Sequence, residues 1–293
     1  MTTIRPVAFA RRSRPTLEGA GVRLNRAFGN GDETQFDPFL MMDDFRGDDP
    51  EYYRRGFPWH PHRGIETITY VLEGEVDHGD SLGNEGTIGA GDVQWMTAGS
   101  GIIHQEMPRG DARGRMGGFQ LWLNLPAAHK MTDPRYQGLT AAQIPEVEQA
   151  GARVRVIAGR VGGVTGPVAD IFADPEYLDV RLESGAAWEH PAPAGHTAFA
   201  YLFEGEAWFG GGASGEPLVA DPGRIVLFGD GDAVAATAGP GGARFLLASG
   251  LPLREPIAWR GPIVMNSPYE LDVAWRELED GTFVKHGPAG GGR

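Results

Sequence analysis

Phe57-Pro58-Trp59-His60-Pro61-His62-Arg63-Gly64 opens the stretch that decides the fold, and Ile102-Ile103-His104-Gln105-Glu106 closes it. Each end carries two metal-competent side chains one residue apart, and in an extended strand residues i and i+2 project from the same face. Two short strands can therefore aim His60, His62, His104 and Glu106 into one space. A single His-x-His pair in a chain with eight histidines is most simply surface decoration. The second pair, with the same spacing and the same glycine-rich turns beside it, makes metal binding the better reading. Three imidazoles and one carboxylate suit Fe, Mn, Ni, Co or Zn over Ca or Mg. Octahedral coordination would leave two positions open for substrate or dioxygen.

Between the pairs the sequence is a run of short strands. Ile65-Glu66-Thr67-Ile68-Thr69-Tyr70-Val71-Leu72 is rich in β-branched and aromatic residues, and Glu73-Gly74-Glu75 turns it. Val93-Gln94-Trp95-Met96 follows the turn at Gly89-Ala90-Gly91-Asp92, and Phe119-Gln120-Leu121-Trp122-Leu123-Asn124-Leu125 alternates up to Pro126. Upstream, residues 1–30 read as a lead-in with a strand or two, and residues 37–45 as an apolar strand ending in acids. Strands this short, punctuated by turns, predict an all-β sandwich or barrel. Residues 127–152 lose the periodicity and read as an irregular connector.

From Val154 the pattern resumes as a copy. Tyr70-Val71-Leu72-Glu73-Gly74-Glu75 returns as Tyr201-Leu202-Phe203-Glu204-Gly205-Glu206, and Gly91-Asp92-Val93-Gln94-Trp95-Met96 as Gly223-Arg224-Ile225-Val226-Leu227-Phe228, offsets of 131 and 132. An internal duplication is the simplest cause. Carried by those offsets, the four candidate ligands fall on Pro191, Pro193, Ala236 and Ala238, which offer no donor. The second half is expected to keep the scaffold without the site, with His190 and His196 as ordinary surface or pocket residues. After an extended segment over residues 251–266, Ser267 and Pro268 start a helix whose apolar face is Leu271, Ala274, Trp275 and Leu278; Gly281 ends it. Residues 287–292 read as a disordered end.

Composition narrows the function classes. The 293 residues allow two domains, divided on this reading into 1–135, with the metal site, and 136–293, with the connector and helix. A net charge of −13 and the lack of any basic stripe argue against nucleic acid. No cysteine is present, so disulfides and thiolate metal sites are excluded. No apolar core of signal-peptide length and no run near the roughly 18 apolar residues of a membrane span occurs, so a cytoplasmic, monomeric protein with no membrane partner is expected.

His60-Pro61-His62-Arg63-Gly64 with Glu66-Thr67, the run from Gly91 to Gly99, His104-x-Glu106-Met107-Pro108, Leu121-Trp122-Leu123-Asn124-Leu125, Leu253-Arg254-Glu255-Pro256 and Gly261-Pro262-Ile263-Val264-Met265-Asn266 together resemble the pirin family, a two-domain branch of the cupins. The resemblance implies two jelly-roll (cupin) β-barrels packed face to face. It also implies one Fe(II)-type site in the first barrel, with Mn, Co, Ni or Zn as alternatives, held by His60, His62, His104 and Glu106. Cupins in general draw their carboxylate from the strand of the histidine pair. Glu66 sits there with the parity of His62 and stays open as the alternative ligand, or as a group orienting a histidine.

Pirin-like proteins resemble quercetinases, which open the central ring of a flavonol with O2 and release CO. On that reading the partners are a flavonol-like aromatic substrate and O2. Glu106 is the catalytic residue that takes the flavonol proton. Phe57, Trp59 and Met107 are candidate apolar walls, or else ordinary barrel core. A rival reading is a metal-bearing regulator that binds a protein partner. A third, a bicupin acting on a small carboxylic acid, calls for two live sites, which the second half lacks.

Overall fold

The computed structural model describes residues 2–210 and 215–287. Its chain forms two compact units, each built of antiparallel strands.

The first unit comprises Pro15–Gln35, Phe39–Ala141 and the chain from Arg254. A seven-stranded sheet runs in the order Arg135–Leu139, Val93–Thr97, Ile65–Glu73, Gly117–Asn124, Phe39–Asp44, Val22–Phe28, Arg14–Glu18. A four-stranded sheet holds Phe57–His62, Ile102–Arg109, Glu75–Asp80 and Glu85–Ile88 in that order. Thr69 on the larger sheet hydrogen-bonds Glu106 on the smaller, so both side chains lie on the inner faces of a sandwich. Apolar residues pack in patches around this polar interior. Leu40, Ile65, Met96, Ala98, Ile102 and Val264 form one, and Val22, Leu24, Phe45, Val71, Val76 and Ile88 belong to another.

The second unit is Met1–Arg14, Phe36–Pro38 and Ala142–Leu253. Its sheet is organised on two long strands, Thr197–Phe209 and Ala233–Gly250, which pair with each other. Register shifts between Leu202 and Glu204 and between Gly205 and Ala207 bend the pair, so the strands continue around a barrel. Trp188, Phe209, Phe228 and Phe245 meet edge-on inside it, with ring centroids 5.2–5.9 Å apart.

These units are not divided at residue 135. Val7–Arg12 pairs with Arg224–Phe228, which puts the N-terminus in the second unit. The C-terminal helix belongs to the first, because buried Arg63 binds Glu277 Oε2 at 2.6 Å and the Phe283 carbonyl at 3.0 Å. The connector is also more regular than its sequence suggests: Arg135–Leu139 pairs with Val93–Thr97 and Glu146–Gln149 with Ala152–Ala158. Hydrogen bonds from an open sheet edge order these segments without the help of a periodic apolar pattern.

The helix spans Pro268–Glu279, with Ser267 Oγ accepting from the Glu270 amide at 3.3 Å and Gly281 at φ +68° beyond its end. Leu271 and Ala274 are buried, and Trp275 and Leu278 pack beside them. Ahead of it, Ala258–Arg260 and Ile263–Met265 form a short hairpin. Residues 288–292 of the glycine-rich end lie outside the described residues. No described helix is long and apolar enough to cross a membrane.

Candidate metal centre

His60 and His62 sit on Phe57–His62, the edge strand of the four-stranded sheet, where Pro58 and Pro61 remove no central ladder hydrogen bond. The return strand Ile102–Arg109 brings His104 directly opposite His60. Gly64, at φ +76°, makes the turn after the pair. A Cβ there would lie 2.0 Å from the Val264 carbonyl oxygen, so the backbone can take this path only at glycine. The fully buried Lys130 fixes the same corner, its Nζ donating to Gly64 O, Asn124 Oδ1 and Val264 O at 2.7–2.9 Å.

The three imidazoles converge, with ring centroids 4.3 Å (His60–His104), 4.8 Å (His60–His62) and 5.0 Å (His62–His104) apart. One nitrogen from each lies within 4.8 Å of the others, a grouping that could hold a metal ion. Carbonyl oxygens only accept, so His60 Nδ1 donates to Pro58 O at 2.9 Å and His62 Nδ1 to Pro262 O at 3.0 Å. Both Nε2 lone pairs are thereby left for a metal. Neither ring nitrogen of His104 has a hydrogen-bond partner although the residue is 1% exposed, a loss that a ligated metal would offset. Burial, and then the neighbouring imidazoles, hold His62 and His104 well below the usual histidine pKa, which keeps them neutral as ligands must be. The donor set therefore fits a divalent transition metal.

Glu106 stands outside the three-histidine group. Its Oε1 lies 2.8 Å from Thr69 Oγ1, which also reaches Gln120 Oε1 at 2.9 Å, and its carboxylate faces the cavity above the histidines. Glu66 goes elsewhere. Gly64 resets the parity, so Glu66 lies on the face of its strand opposite Thr69, where it accepts from Thr97 Oγ1 at 2.7 Å. Burial pushes its carboxyl up to about 7.

The cavity encloses about 590 Å³, with His60, His62 and Glu106 in its wall. Phe57, Trp122, Trp259, Leu24 and Met41 make its apolar sides; Arg26, held bidentate on Asp43 at 2.7 and 2.8 Å, lines its polar side. Trp122 meets the His62 ring edge-on at 5.0 Å. Of the three candidate walls only Phe57 lines this space: Trp59 is 55% exposed, and Met107 packs behind Gly56. Both lie one residue from a ligand candidate, and strand alternation sends them to the other face. Gln120 and Trp122 share that alternation on Gly117–Asn124, whose pattern contained the signal; nothing near Trp259 or Pro262 marked either as a neighbour of the histidines.

Strand register corrects the internal comparison. Val234 pairs with His190 as His104 pairs with His60, and Ala236 pairs with Phe209 as Glu106 pairs with His78. The second-barrel counterparts of His60, His62, His104 and Glu106 are thus His190, Ala192, Val234 and Ala236, because turn lengths shift the offset by one or two residues. His190 is no surface residue. It is 5% exposed, stacked on Trp188 at 5.2 Å, with Nε2 2.8 Å from Glu176 Oε2. His196 lines a separate cavity of about 530 Å³ in that unit.

A duplicated β barrel with, among the described residues, one histidine cluster and one closed apolar core defines a bicupin. Residues 21–123 match the family model described as pirin, and residues 177–284 the pirin C-terminal cupin domain. The chain is 43% identical over 282 residues to a pirin-like protein of Caulobacter vibrioides, covering 96% of this chain and 99% of that one. Against pirin-like protein 2 of Arabidopsis thaliana it is 42% identical over 278 residues, 92% of this chain and 82% of that one. The crystal structure of quercetin 2,3-dioxygenase from Acinetobacter baumannii superposes with a TM-score of 0.85 at 31% identity, covering 96% of this chain and 98% of the other. The chain belongs to the pirin family.

Proposed function

We propose that this protein is a metal-dependent dioxygenase that opens the central ring of a flavonol-like substrate with O2 and releases CO. The observation that carries the reading is the convergence of His60, His62 and His104, the first two of which line an aromatic-sided cavity. Similarity to the Acinetobacter baumannii quercetin 2,3-dioxygenase supports it. His60, His62 and His104 hold the metal, Fe(II) foremost, and Glu106 completes the set. When bound, the metal supplies a Lewis acid and a redox centre for dioxygen chemistry.

The residues of the chain do the rest. Phe57, Trp122 and Trp259 clasp a planar ring system and exclude water from it. Glu106 takes the substrate's enolic proton, and Thr69 keeps its carboxylate turned to the cavity. Arg26 on Asp43 offers donors to the substrate's peripheral oxygens.

The test is direct: load the purified protein with Fe(II), add quercetin in air, and follow the flavonol absorbance and CO. The account expects metal-dependent loss of absorbance with CO release, and His62→Ala to lose both metal and turnover by about 100-fold or more. Bound metal without turnover would move the chain to the class of metal-bearing binding proteins.

A further inference from the structure

His104 poses a question of hydrogen bonding that its role as a ligand leaves open. A neutral imidazole has one N–H and one lone pair; once the lone pair binds a metal, the N–H needs an acceptor. In the buried interior around His104 the choices are few. The Nδ1–H groups of His60 and His62 are committed to the Pro58 and Pro262 carbonyls and their Nε2 atoms to the metal. Asp80, directly across the ladder from His104, already accepts from Leu82 N, Asn84 N, Asn84 Nδ2 and His78 Nε2. Four hydrogen bonds fill a carboxylate.

His78 remains. It is 4% exposed, and its ring centroid lies 5.5 Å from that of His104. Its Nε2 stands 3.3 Å from Asp80 Oδ2, and since an ionised carboxylate only accepts, Nε2 carries the proton and Nδ1 is a bare acceptor. That Nδ1 is buried without a partner, as is the donor of His104. Tyr136, stacked on the His78 ring at 5.0 Å and 29°, fixes the ring's plane. One orphaned donor and one orphaned acceptor thus lie in adjacent, immobilised rings, close enough for contact or for one bridging water.

We infer that His78, oriented by Asp80, is the positioning residue for His104: its Nδ1 receives the N–H that His104 turns away from the metal. The inference rests on the three histidines being the metal site. It makes His104 the one ligand held by a side-chain relay, whereas carbonyls hold the other two. Phe209, the second-barrel counterpart of His78, has no lone pair to offer, in keeping with Val234 in place of His104.

The experiment is a Co(II) titration of the metal-free full chain against a competing chelator, with the visible ligand-field spectrum recorded. His78→Phe keeps the stacking on Tyr136 and removes both nitrogens; about 10- to 100-fold weaker Co(II) binding and shifted bands are expected. The metal-free variant should melt somewhat lower, because the hydrogen bond to Asp80 goes with the ring nitrogens, so affinity and spectrum are compared on folded protein. His78→Gln, which restores an acceptor, should recover part of the affinity. If His78→Phe does not fold, Asp80→Asn carries the test: it frees the His78 tautomer and should shift the bands with roughly ten-fold weaker binding. Wild-type protein that binds no Co(II) would remove the metal reading itself. Wild-type binding with unchanged affinity and spectrum in the folded variants would overturn this inference alone.

Discussion

At one register of the first barrel His104 faces His60; at the same register of the second, Val234 faces His190. The contrast continues inward. Thr69 and Gln120 pair in the first barrel where Ala200 and Leu247 pair in the second, and Glu106 and His78 where Ala236 and Phe209 do. Ala192, Ala200, Phe209, Val234, Ala236 and Leu247 all belong to one continuous apolar cluster. The scaffold is therefore satisfied by hydrocarbon. Lining it with imidazoles and a carboxylate gives up burial of apolar surface and leaves buried polar atoms unpaired, a cost that a ligand has to offset. His190, held by Glu176 and Trp188 in the second barrel, shows what a histidine in this place becomes without a metal set: a hydrogen-bonded core residue.

The sharpest way to break the comparison after removal of His62 is to open the closed barrel. Phe245→Ala should cost about 3–5 kcal/mol of stability, because the ring packs against Trp188 and Phe209 and its loss leaves a cavity. Metal content per folded chain should stay at one. Denaturant unfolding with metal analysis checks both; a loss of metal at intact fold would show that the second barrel is not a mere scaffold.

Glu66 separates a buried carboxyl from a ligand. Its folded pKa, about 7, lies above its unfolded value, so folding gains most where both states are protonated, below about pH 4.5. The gain is lost as the pH rises through about 7, on the order of 3 kcal/mol. Glu66→Gln should remove this part of the pH dependence in metal-free protein and leave metal binding intact. Weaker metal binding in the variant would return Glu66 to the ligand set.

The smallest effect goes the other way. His104→Val copies the second barrel into the first, so it should abolish metal binding yet stabilise the metal-free chain by about 1 kcal/mol, a rise of roughly 2–4 °C in Tm. A lower Tm would mean that the contact to His78 outweighs the ring nitrogen of His104 left unpaired without metal.

Much of this was legible in the sequence, and the reason is parity. Alternation placed His60 with His62, and Leu121 and Leu123 away from Trp122; Ser267, Pro268 and Gly281 marked the helix by capping chemistry. What stayed hidden depends on register and on distant backbone. Gly64 breaks the phase between His62 and Glu66, so counting by twos put Glu66 on the wrong face. Turn lengths slid the internal copy until His190 looked unrelated to His60. Pro262 O and Lys130 Nζ act through hydrogen bonds between positions far apart in the chain, for which no local pattern exists.

Among the described residues one barrel gathers three metal-competent imidazoles, where the other keeps a closed apolar core. Anomalous diffraction from crystals of the Fe(II)- or Co(II)-loaded protein measures directly where a metal binds. The account predicts a single peak within bonding distance of His60, His62 and His104; a peak beside His190, or density that leaves His104 uncoordinated, would contradict it.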